Sequence, residues 1–179
     1  MGGSRIIVVD TNIRLKEIGL EDAEVIFNTI INERDYLSEW LPFVEHTHEI
    51  SFTRSFIEEY LNSERKDLTC AIYYQNQFVG LIGLKDTDTD NKKTEIGYWL
   101  SEAFQHKGII TCSCKTLISY AFDEMDINRI QIKAAEHNLK SQQIPVRLGF
   151  KREGIERDGE LHSRGFVDLV IFSLLKADR

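Results

Sequence analysis

The spacing of apolar residues changes from a helical to a strand pattern between residues 63 and 70, and this change constrains the fold more than any other feature. Residues 21–32 and 51–63 each place apolar side chains at helical intervals, which predicts two amphipathic helices. Residues 70–74 and 78–85 are short apolar runs separated by the polar turn 75–77, which predicts a β-hairpin. The chain therefore combines helices with a sheet.

The rest of the sequence continues this alternation of elements. Further helices are predicted from about residue 110 to 125, and from the N-cap Asn138 to a point just before Gly149. Further strands are predicted at residues 12–16, 95–100, 129–134, 150–155 and 166–174. The resulting order is β-α-α-β-β-β-α-β-α-β-β, without a domain boundary or an internal repeat. We therefore predict a single α/β (α+β) domain over residues 1–179, in which residues 1–10 form a flexible tail or an edge segment.

Charge and composition argue against several classes of protein. The net charge is −7 and no cluster of Lys and Arg is visible in the sequence, which argues against direct binding of nucleic acid. No apolar run approaches the ~20 residues of a membrane helix, and the N-terminus lacks a signal-peptide pattern. Three cysteines do not make a secreted disulfide framework, so we expect a cytoplasmic protein without membrane contact.

The cysteines and histidines do not predict a metal site. Cys112 and Cys114 are two positions apart, so on a helix they point in different directions. His46 and His48 have no acidic or cysteine partner at ligand spacing. We expect no metal, and we interpret Cys114 as a packing residue on the core face of its helix.

A glycine-containing loop at residues 105–108 joins a predicted strand to a predicted helix. Free N–H groups at a helix N-terminus favour an anion, so the loop predicts a phosphate site, although ordinary capping explains the glycine equally well. The chain has no GxGxxG or Walker pattern, which argues against a dinucleotide or a nucleoside triphosphate. Residues 136–141 follow the strand 129–134. If that strand neighbours 95–100, the two following loops lie together at one sheet end, where ligands bind.

Four stretches together resemble the GNAT superfamily of N-acetyltransferases, and within it the RimJ/RimL-like group that acetylates ribosomal-protein N-termini. The stretches are QHKGIIT at 105–111, similar to the acyl-CoA pyrophosphate loop Gln/Arg-x-x-Gly-x-Gly/Ala; EIGYWL at 95–100, similar to the bulged fourth strand; Asn138-x-x-Ser141 followed by Leu148-Gly149-Phe150, similar to the late helix; and LSEWLP at 37–42, similar to the acceptor-side loop. The element order matches over nearly the whole chain.

The resemblance implies a mixed, mostly antiparallel sheet flanked by about four helices, with its fourth and fifth strands splayed in a V. It implies acetyl-CoA as co-substrate, with the pantetheine arm beside the fourth strand and the pyrophosphate on the loop amides. A bulge at Gly97 is expected to free backbone groups for this ligand. Ile110 departs from the motif's Gly or Ala and fits only if its side chain points into the core. The implied cofactor-binding residues are Trp99, Leu100, Gln105, His106, Lys107, Gly108, Ile109, Ile110, Thr111, Asn138 and Ser141.

The resemblance also implies direct transfer of the acetyl group, with roles for individual side chains. Glu95 is a candidate general base acting through water, or else a solvated strand-edge carboxylate. Ser141 is a candidate donor of a proton to the departing thiolate, or else a surface serine. Trp40 and Phe43 are expected to border the acceptor site together with Glu95, or else to anchor a loop. Trp99 is expected to pack in the sheet or to line the acyl pocket.

The acceptor is predicted to be a primary amine, and a protein N-terminus is preferred. An α-amine has a pKa of about 7.7–8 and is partly neutral at pH 7, whereas a lysine amine with a pKa of about 10.4 needs more help from a base. The alternatives are a small amine, such as a polyamine or an aminoglycoside, and a CoA-binding module without catalysis. A ribosomal protein as partner and a homodimer are expectations from the resemblance alone.

Overall fold

The computed structural model describes residues 5–179, in which eight strands form one sheet. Neighbouring strands are antiparallel except β5 and β6, which are parallel, so the predicted mixed sheet is confirmed. The strands lie in the order β1-β2-β3-β4-β5-β6-β8-β7. They are β1 (Ile6–Val8), β2 (Ile13–Glu17), β3 (Leu68–Tyr74), β4 (Gln77–Asp88), β5 (Lys93–Leu100), β6 (Arg129–Ala135), β7 (Lys151–His162) and β8 (Gly165–Leu175).

Six α-helices accompany the sheet within the described residues. They are α1 (Ala23–Asn32), α2 (Arg34–Leu37), α3 (Phe43–His46), α4 (Ile50–Leu61), α5 (Ile109–Asp123) and α6 (Leu139–Arg147). The four longer ones lie where the sequence predicted helices. The one-turn helices α2 and α3 lie where it predicted a loop. Their shape depends on a tertiary contact, because the Arg34 guanidinium donates to the backbone carbonyls of Val44, at 2.5 Å, and Thr47.

Two apolar clusters cover the two faces of the sheet. One surrounds α5 and includes Leu117 and Phe122, and the other lies against α1 and α4 and includes Ile26 and Ile57. Because successive strand residues point to opposite faces, β5 contributes to both clusters, with Ile96 on the α5 side and Trp99 on the side of α1 and α4. Glu95 has the same parity as Trp99, and Tyr98 has the same parity as Ile96.

The first strand and the last two strands of the sheet differ from the sequence prediction. Residues 6–8 of the predicted tail or edge segment form β1, which pairs with β2 at the sheet edge, while residues 1–4 lie outside the described part. The closing hairpin is longer than predicted, because β7 continues past Ile155 to His162. The register with β8 is irregular between Glu156 and Glu160, which interrupts the alternating strand pattern. The second half of β7 was therefore not predicted from the sequence.

Strands β5 and β6, which are the fourth and fifth strands of the sequence prediction, separate after a short paired region. Their pairing ends at Glu95↔Gln131, although β5 continues to Leu100 and β6 to Ala135, so the predicted V is confirmed. The bulge predicted at Gly97 is wrong, because β4 and β5 pair without interruption from Gly80↔Leu100 to Lys85↔Glu95.

Gly97 has a different physical explanation. A Cβ atom there would lie 3.3 Å from Cε of Lys85, so the glycine makes room for the lysine side chain on the neighbouring strand. The backbone groups of β5 beyond Glu95 are freed on the β6 side by the end of the pairing, and no bulge is needed to free them.

Candidate active site

A cleft of about 540 Å³ lies where β5 and β6 separate. Its size falls within the roughly 300–1,000 Å³ of ligand-binding clefts. Most residues predicted for the site line it, namely Trp40, Glu95, Trp99, Leu100, Gln105, His106, Lys107, Gly108, Ile109, Ile110, Thr111, Asn138 and Ser141. Phe43 does not line the cleft: it lies on α3, and 45% of it is exposed.

The loop before α5 presents free backbone N–H groups to the cleft. Gly108 is the N-cap residue, with a φ of 74° in the left-handed region, and no side chain caps the helix. The first helical bond runs from Cys112 N to Gly108 O at 2.9 Å, which leaves the amides of residues 109–111 without a helical acceptor. Such a helix start favours a bound anion.

The departure of Ile110 from the motif is accommodated as predicted. Its side chain is only 7% exposed and belongs to the core around α5. The neighbouring Ile109 is buried as well. Because both side chains point inward, neither covers the helix start, and the amides stay open to the cleft.

Five lysine and arginine side chains line the same cleft, although the chain as a whole is acidic, and three of them are not engaged in ion pairs with the described residues. Lys107, Lys140 and Arg147 have no carboxylate partner within residues 5–179. Lys107 comes from the loop, while Lys140 and Arg147 are seven positions apart on one face of α6. The sequence analysis named Lys107 among the cofactor-binding residues but missed Lys140 and Arg147, for which the spacing within α6 was the available signal. The three charges suit the phosphates of a nucleotide-bearing ligand.

Ser141 is held by two neighbours at the far side of the V. The Asn138 side-chain oxygen accepts a hydrogen bond from Ser141 N at 3.0 Å, so the predicted N-cap is confirmed. The Tyr98 hydroxyl lies 3.2 Å from the Ser141 carbonyl oxygen and 3.2 Å from Ser141 Oγ. Burial, together with the nearby Cys114, raises the pKa of Tyr98, so the phenol remains protonated and can donate. The sequence analysis did not single out Tyr98.

Glu95 lies at the base of the V, on the opposite face of β5 from Tyr98. Its Oε1 is 2.9 Å from Lys85 Nζ, its Oε2 is 4.0 Å from Lys133 Nζ, and its side chain is 13% exposed. It is therefore a partly buried ion-pair residue and not a solvated strand-edge carboxylate. Burial opposes the charge on Lys85, but the charge and hydrogen bond of Glu95 outweigh this effect and raise the pKa of Lys85 above its ordinary value.

A second carboxylate, Glu160 on β7, also lines the cleft. Its Oε2 lies 2.8 Å from Nε2 of His162, and it makes no ion pair with a lysine or arginine of the described residues. The sequence analysis missed Glu160, because the predicted strand ended at Ile155. His137, which follows β6, is exposed and does not line the cleft.

Aromatic and aliphatic side chains form one wall of the cleft. Trp99 packs edge-to-face on Phe78, with ring centroids 5.9 Å apart, and also lines the cleft. Trp40, Leu37 and Leu41 come from the segment between α1 and α3. We call residues 37–41 the acceptor wall.

Comparison with known proteins decides the family. A family model described as an acetyltransferase (GNAT) domain matches residues 12–151. The chain belongs to this GNAT acetyltransferase family. A curated relative from Bacillus subtilis, named "Putative ribosomal N-acetyltransferase YdaF", is 38% identical over 173 residues, which cover 95% of this chain and 94% of the relative.

Solved structures of GNAT enzymes have the same fold. The microcin C7 self-immunity acetyltransferase MccE, in complex with acetyl-CoA and AMP, is 31% identical, with a TM-score of 0.88 over 93% of this chain and 94% of that one. The ribosomal L7/L12 α-N-protein acetyltransferase RimL, in complex with coenzyme A, is 24% identical, with a TM-score of 0.92 over 98% of this chain and 100% of that one.

The GNAT chain is an N-acetyltransferase that uses acetyl-CoA. Its residues fit this co-substrate, because the cleft joins a free edge of β5 to an open helix start, beside cations that have no carboxylate partner in the described part of the chain. Within the described residues, no group of three His, Cys, Asp or Glu side chains is arranged to hold a metal ion. None of the helices described is both long enough and apolar enough to span a membrane.

Proposed function

We propose that this GNAT enzyme acetylates the N-terminal amine of a protein by direct transfer from acetyl-CoA. The observation that carries the proposal is the cleft at the V, which is lined both by an anion-binding helix start and by the acceptor wall with Glu95. The name of the relative YdaF, a ribosomal N-acetyltransferase, supports a ribosomal protein as acceptor. A cytoplasmic location and a homodimer accompany this proposal as predictions.

The binding of acetyl-CoA is assigned to three parts of the cleft. The amides of residues 109–111 take the pyrophosphate, with Lys107, Lys140 and Arg147 available to the remaining negative charge. The free edge of β5 takes the pantetheine arm, whose amides can pair with it as a further strand does. Backbone N–H groups near Leu100 polarise the thioester carbonyl. Asn138, which caps α6, faces the same arm from the other side of the V.

The transfer then needs two proton movements. The amine attacks the thioester carbonyl, the C–S bond breaks, and coenzyme A leaves as a thiol. Glu95 accepts the proton of the amine through water, and Ser141 supplies one to the thiolate. The two side chains lie toward opposite faces of the sheet, since Glu95 shares the face of Trp99 while Ser141 contacts Tyr98 on the other face.

A small amine attached to a nucleotide is the second candidate acceptor. MccE, which is 31% identical to this chain, was solved with AMP as well as acetyl-CoA. In the present chain Tyr36 and Trp40 both line the cleft, and aromatic rings of this kind can stack on a base. The polyamine and aminoglycoside alternatives have no comparable observation in their favour.

Release of thiol from acetyl-CoA, measured with a panel of acceptors, tests the proposal. The panel contains a peptide with a free N-terminal serine, the same peptide with a blocked N-terminus and an internal lysine, spermidine, kanamycin and an aminoacyl sulfamoyl adenosine. We expect turnover of the free peptide and none of the blocked one. Turnover of the adenosine compound alone would favour the second candidate, and binding of acetyl-CoA without turnover of any acceptor would indicate a binding module.

A further inference from the structure

Two side chains connect the helices α1 and α2 to residues 101–105, the segment that leads into the loop before α5. We call that loop, residues 105–111, the cofactor loop. The Glu33 carboxylate, at the junction of α1 and α2, accepts hydrogen bonds from Glu102 N at 2.8 Å and from Ser101 Oγ. Tyr36, one turn further on, accepts a hydrogen bond from Gln105 Nε2. Residues 101–105 are thus held at both ends by two residues that are three positions apart, at the start of α2 and within it.

The acceptor wall follows directly from these two residues. The backbone N–H of Leu37 donates to the carbonyl of Glu33 at 2.9 Å. Trp40 N and Leu41 N both donate to the carbonyl of Leu37, at 3.1 and 3.0 Å. A displacement of Glu33 or Tyr36 therefore moves the cleft-lining side chains of the wall, because a continuous series of short backbone bonds connects them.

The same link continues toward the opposite side of the cleft. Gln105 is the first residue of the loop before α5, and its Oε1 accepts a hydrogen bond from Lys140 Nζ on α6 at 3.3 Å. Gln105 therefore connects Tyr36 with Lys140 of α6, and all three residues line the cleft. A ligand anion at the amides of residues 109–111 would orient this loop and, with it, both partners of Gln105.

The chemistry of the two tying residues suits a permanent connection. Glu33 does not line the cleft, so its carboxylate acts on the segment 101–105 and not on a ligand. Burial of Tyr36, reinforced by the charges of Glu102, Glu33 and Glu39, raises the pKa of the phenol. Tyr36 therefore stays neutral and keeps both a donor and an acceptor available at neutral pH.

We propose that Glu33 and Tyr36 are positioning residues that couple occupation of the cofactor loop to the order of the acceptor wall. The coupling rests on the proposed function, since it requires acetyl-CoA at the loop and the acceptor at the wall. With the loop occupied, residues 101–105 are held in place, and Glu33 and Tyr36 hold residues 37–41 in the arrangement that receives the amine. By reciprocity, an acceptor at the wall strengthens cofactor binding by the same factor.

Hydrogen exchange of the full chain, with and without coenzyme A, tests the coupling without any acceptor. In the wild-type enzyme we expect the amides of residues 37–41 to exchange at least fivefold more slowly when coenzyme A is bound. Glu33→Ala should still bind coenzyme A by calorimetry but lose this protection, and the milder Tyr36→Phe should lose part of it. Asp35→Ala, which removes an exposed carboxylate with no side-chain partner in the described structure, should keep the protection.

Tyr74→Phe is the matched control for Tyr36→Phe. The Tyr74 ring packs edge-to-face on Phe104, next to Gln105, and its hydroxyl has no partner within the described residues. Equal protection of residues 37–41 in the wild type and in both Glu33→Ala and Tyr36→Phe would overturn the coupling. Coenzyme A binding to the wild type without slower exchange at the wall would also overturn it. No calorimetric binding of coenzyme A to the wild type would contradict the proposed function itself, and the coupling with it.

Discussion

The Tyr98 hydroxyl lies 3.2 Å from the carbonyl oxygen of Ser141, and this contact joins β5 to α6 across the opening of the V. The reason for it lies four residues further along the helix. Pro145 has no N–H group, so the Ser141 carbonyl has no helical donor. Tyr98 supplies the missing hydrogen bond and at the same time lies 3.2 Å from Ser141 Oγ, the group to which we assign the proton of the thiol.

Tyr98→Phe should therefore lower stability, because it leaves the Ser141 carbonyl without its donor. We expect a loss of about 1 kcal/mol in the free energy of unfolding, measured by urea denaturation. Tyr74→Phe is the control, since it removes a hydroxyl that has no partner in the described part of the chain. Equal midpoints for Tyr98→Phe and the wild type would show that the contact does not stabilise α6.

Gly108→Val should weaken binding of coenzyme A at least tenfold, which corresponds to about 1.4 kcal/mol. A side chain at this N-cap would project beside the amides of the helix start and obstruct the approach of a phosphate. Gly149→Val is a matched control, because both glycines have a positive φ, 74° and 80°, and a Cβ at either would meet nothing within 4 Å. Gly149 does not line the cleft, so this variant should bind normally in calorimetry. Unchanged affinity in folded Gly108→Val would remove the loop from the cofactor site.

Glu95→Gln should lower kcat at pH 7 more than Ser141→Ala does. General acid–base steps are worth about 10²–10⁴-fold, and a thiol is a fair leaving group that needs less help than the amine. The deficit of Glu95→Gln should shrink as the pH rises, because the amine then loses its proton without a base. Glu160→Gln is the companion variant, measured over the same pH range, since Glu160 is the other glutamate of the cleft. Wild-type kcat in Glu95→Gln with a large loss in Glu160→Gln would transfer the base to Glu160.

Glu153 provides a prediction about stability and pH that is independent of catalysis. Hydrogen bonds from Arg129, and then from Ser173, lower its pKa from 4.5 to about 2. Because the folded-state pKa is depressed, the stabilisation is present above about pH 4.5 and is lost as the pH falls toward 2. Glu153→Gln should cost on the order of 0.5 kcal/mol at pH 7, since the pair is partly exposed, and less at pH 2, where the folded-state carboxylate is about half protonated. Urea unfolding of the wild type, of Glu153→Gln and of the control variant Glu124→Gln across this pH range tests the predicted loss of stabilisation. A cost that does not depend on pH would contradict the assignment.

The fold was predictable where an element is long enough to show its period. The helices α1, α4 and α5 and the hairpin of β3 and β4 each carry a regular apolar pattern, and each was predicted. The strand β1 has three residues, and the helices α2 and α3 have four each, which is too short for a period. The contacts that shape such elements, such as Arg34 with the carbonyl of Val44, join residues ten positions apart and leave no periodic pattern in the sequence.

The candidate site likewise contains residues that could be predicted from the sequence and residues that could not. The residues of the contiguous motif 105–111 could be placed in one site from the sequence, because a single loop carries them. Lys85, Tyr98, Arg147 and Glu160 each come from a different strand or helix, and only the folded sheet brings them to one cleft. The bulge predicted at Gly97 was wrong for a related reason. The glycine leaves space for the Lys85 side chain, which lies on another strand.

Trp40 and Phe43 were predicted together as borders of the acceptor site, and the structure separates them. Trp40 lines the cleft, whereas Phe43 lies on α3 outside it. Trp40→Ala should therefore raise the KM for the N-terminal serine peptide at least tenfold, because it removes the largest side chain of the acceptor wall. The KM for acetyl-CoA should change less, since we assign its pyrophosphate to the amides of residues 109–111 and not to the Trp40 side chain.

Phe43→Ala is the matched aromatic control, and it should leave both KM values within about twofold of the wild type, because a partly exposed side chain outside the cleft loses few contacts on truncation. Initial rates measured with each substrate varied in turn provide both constants. Equal effects of the two variants on the peptide KM would mean that the segment acts only as a structural unit. A larger effect of Phe43→Ala would place the acceptor on the outer surface of α3, away from the cleft.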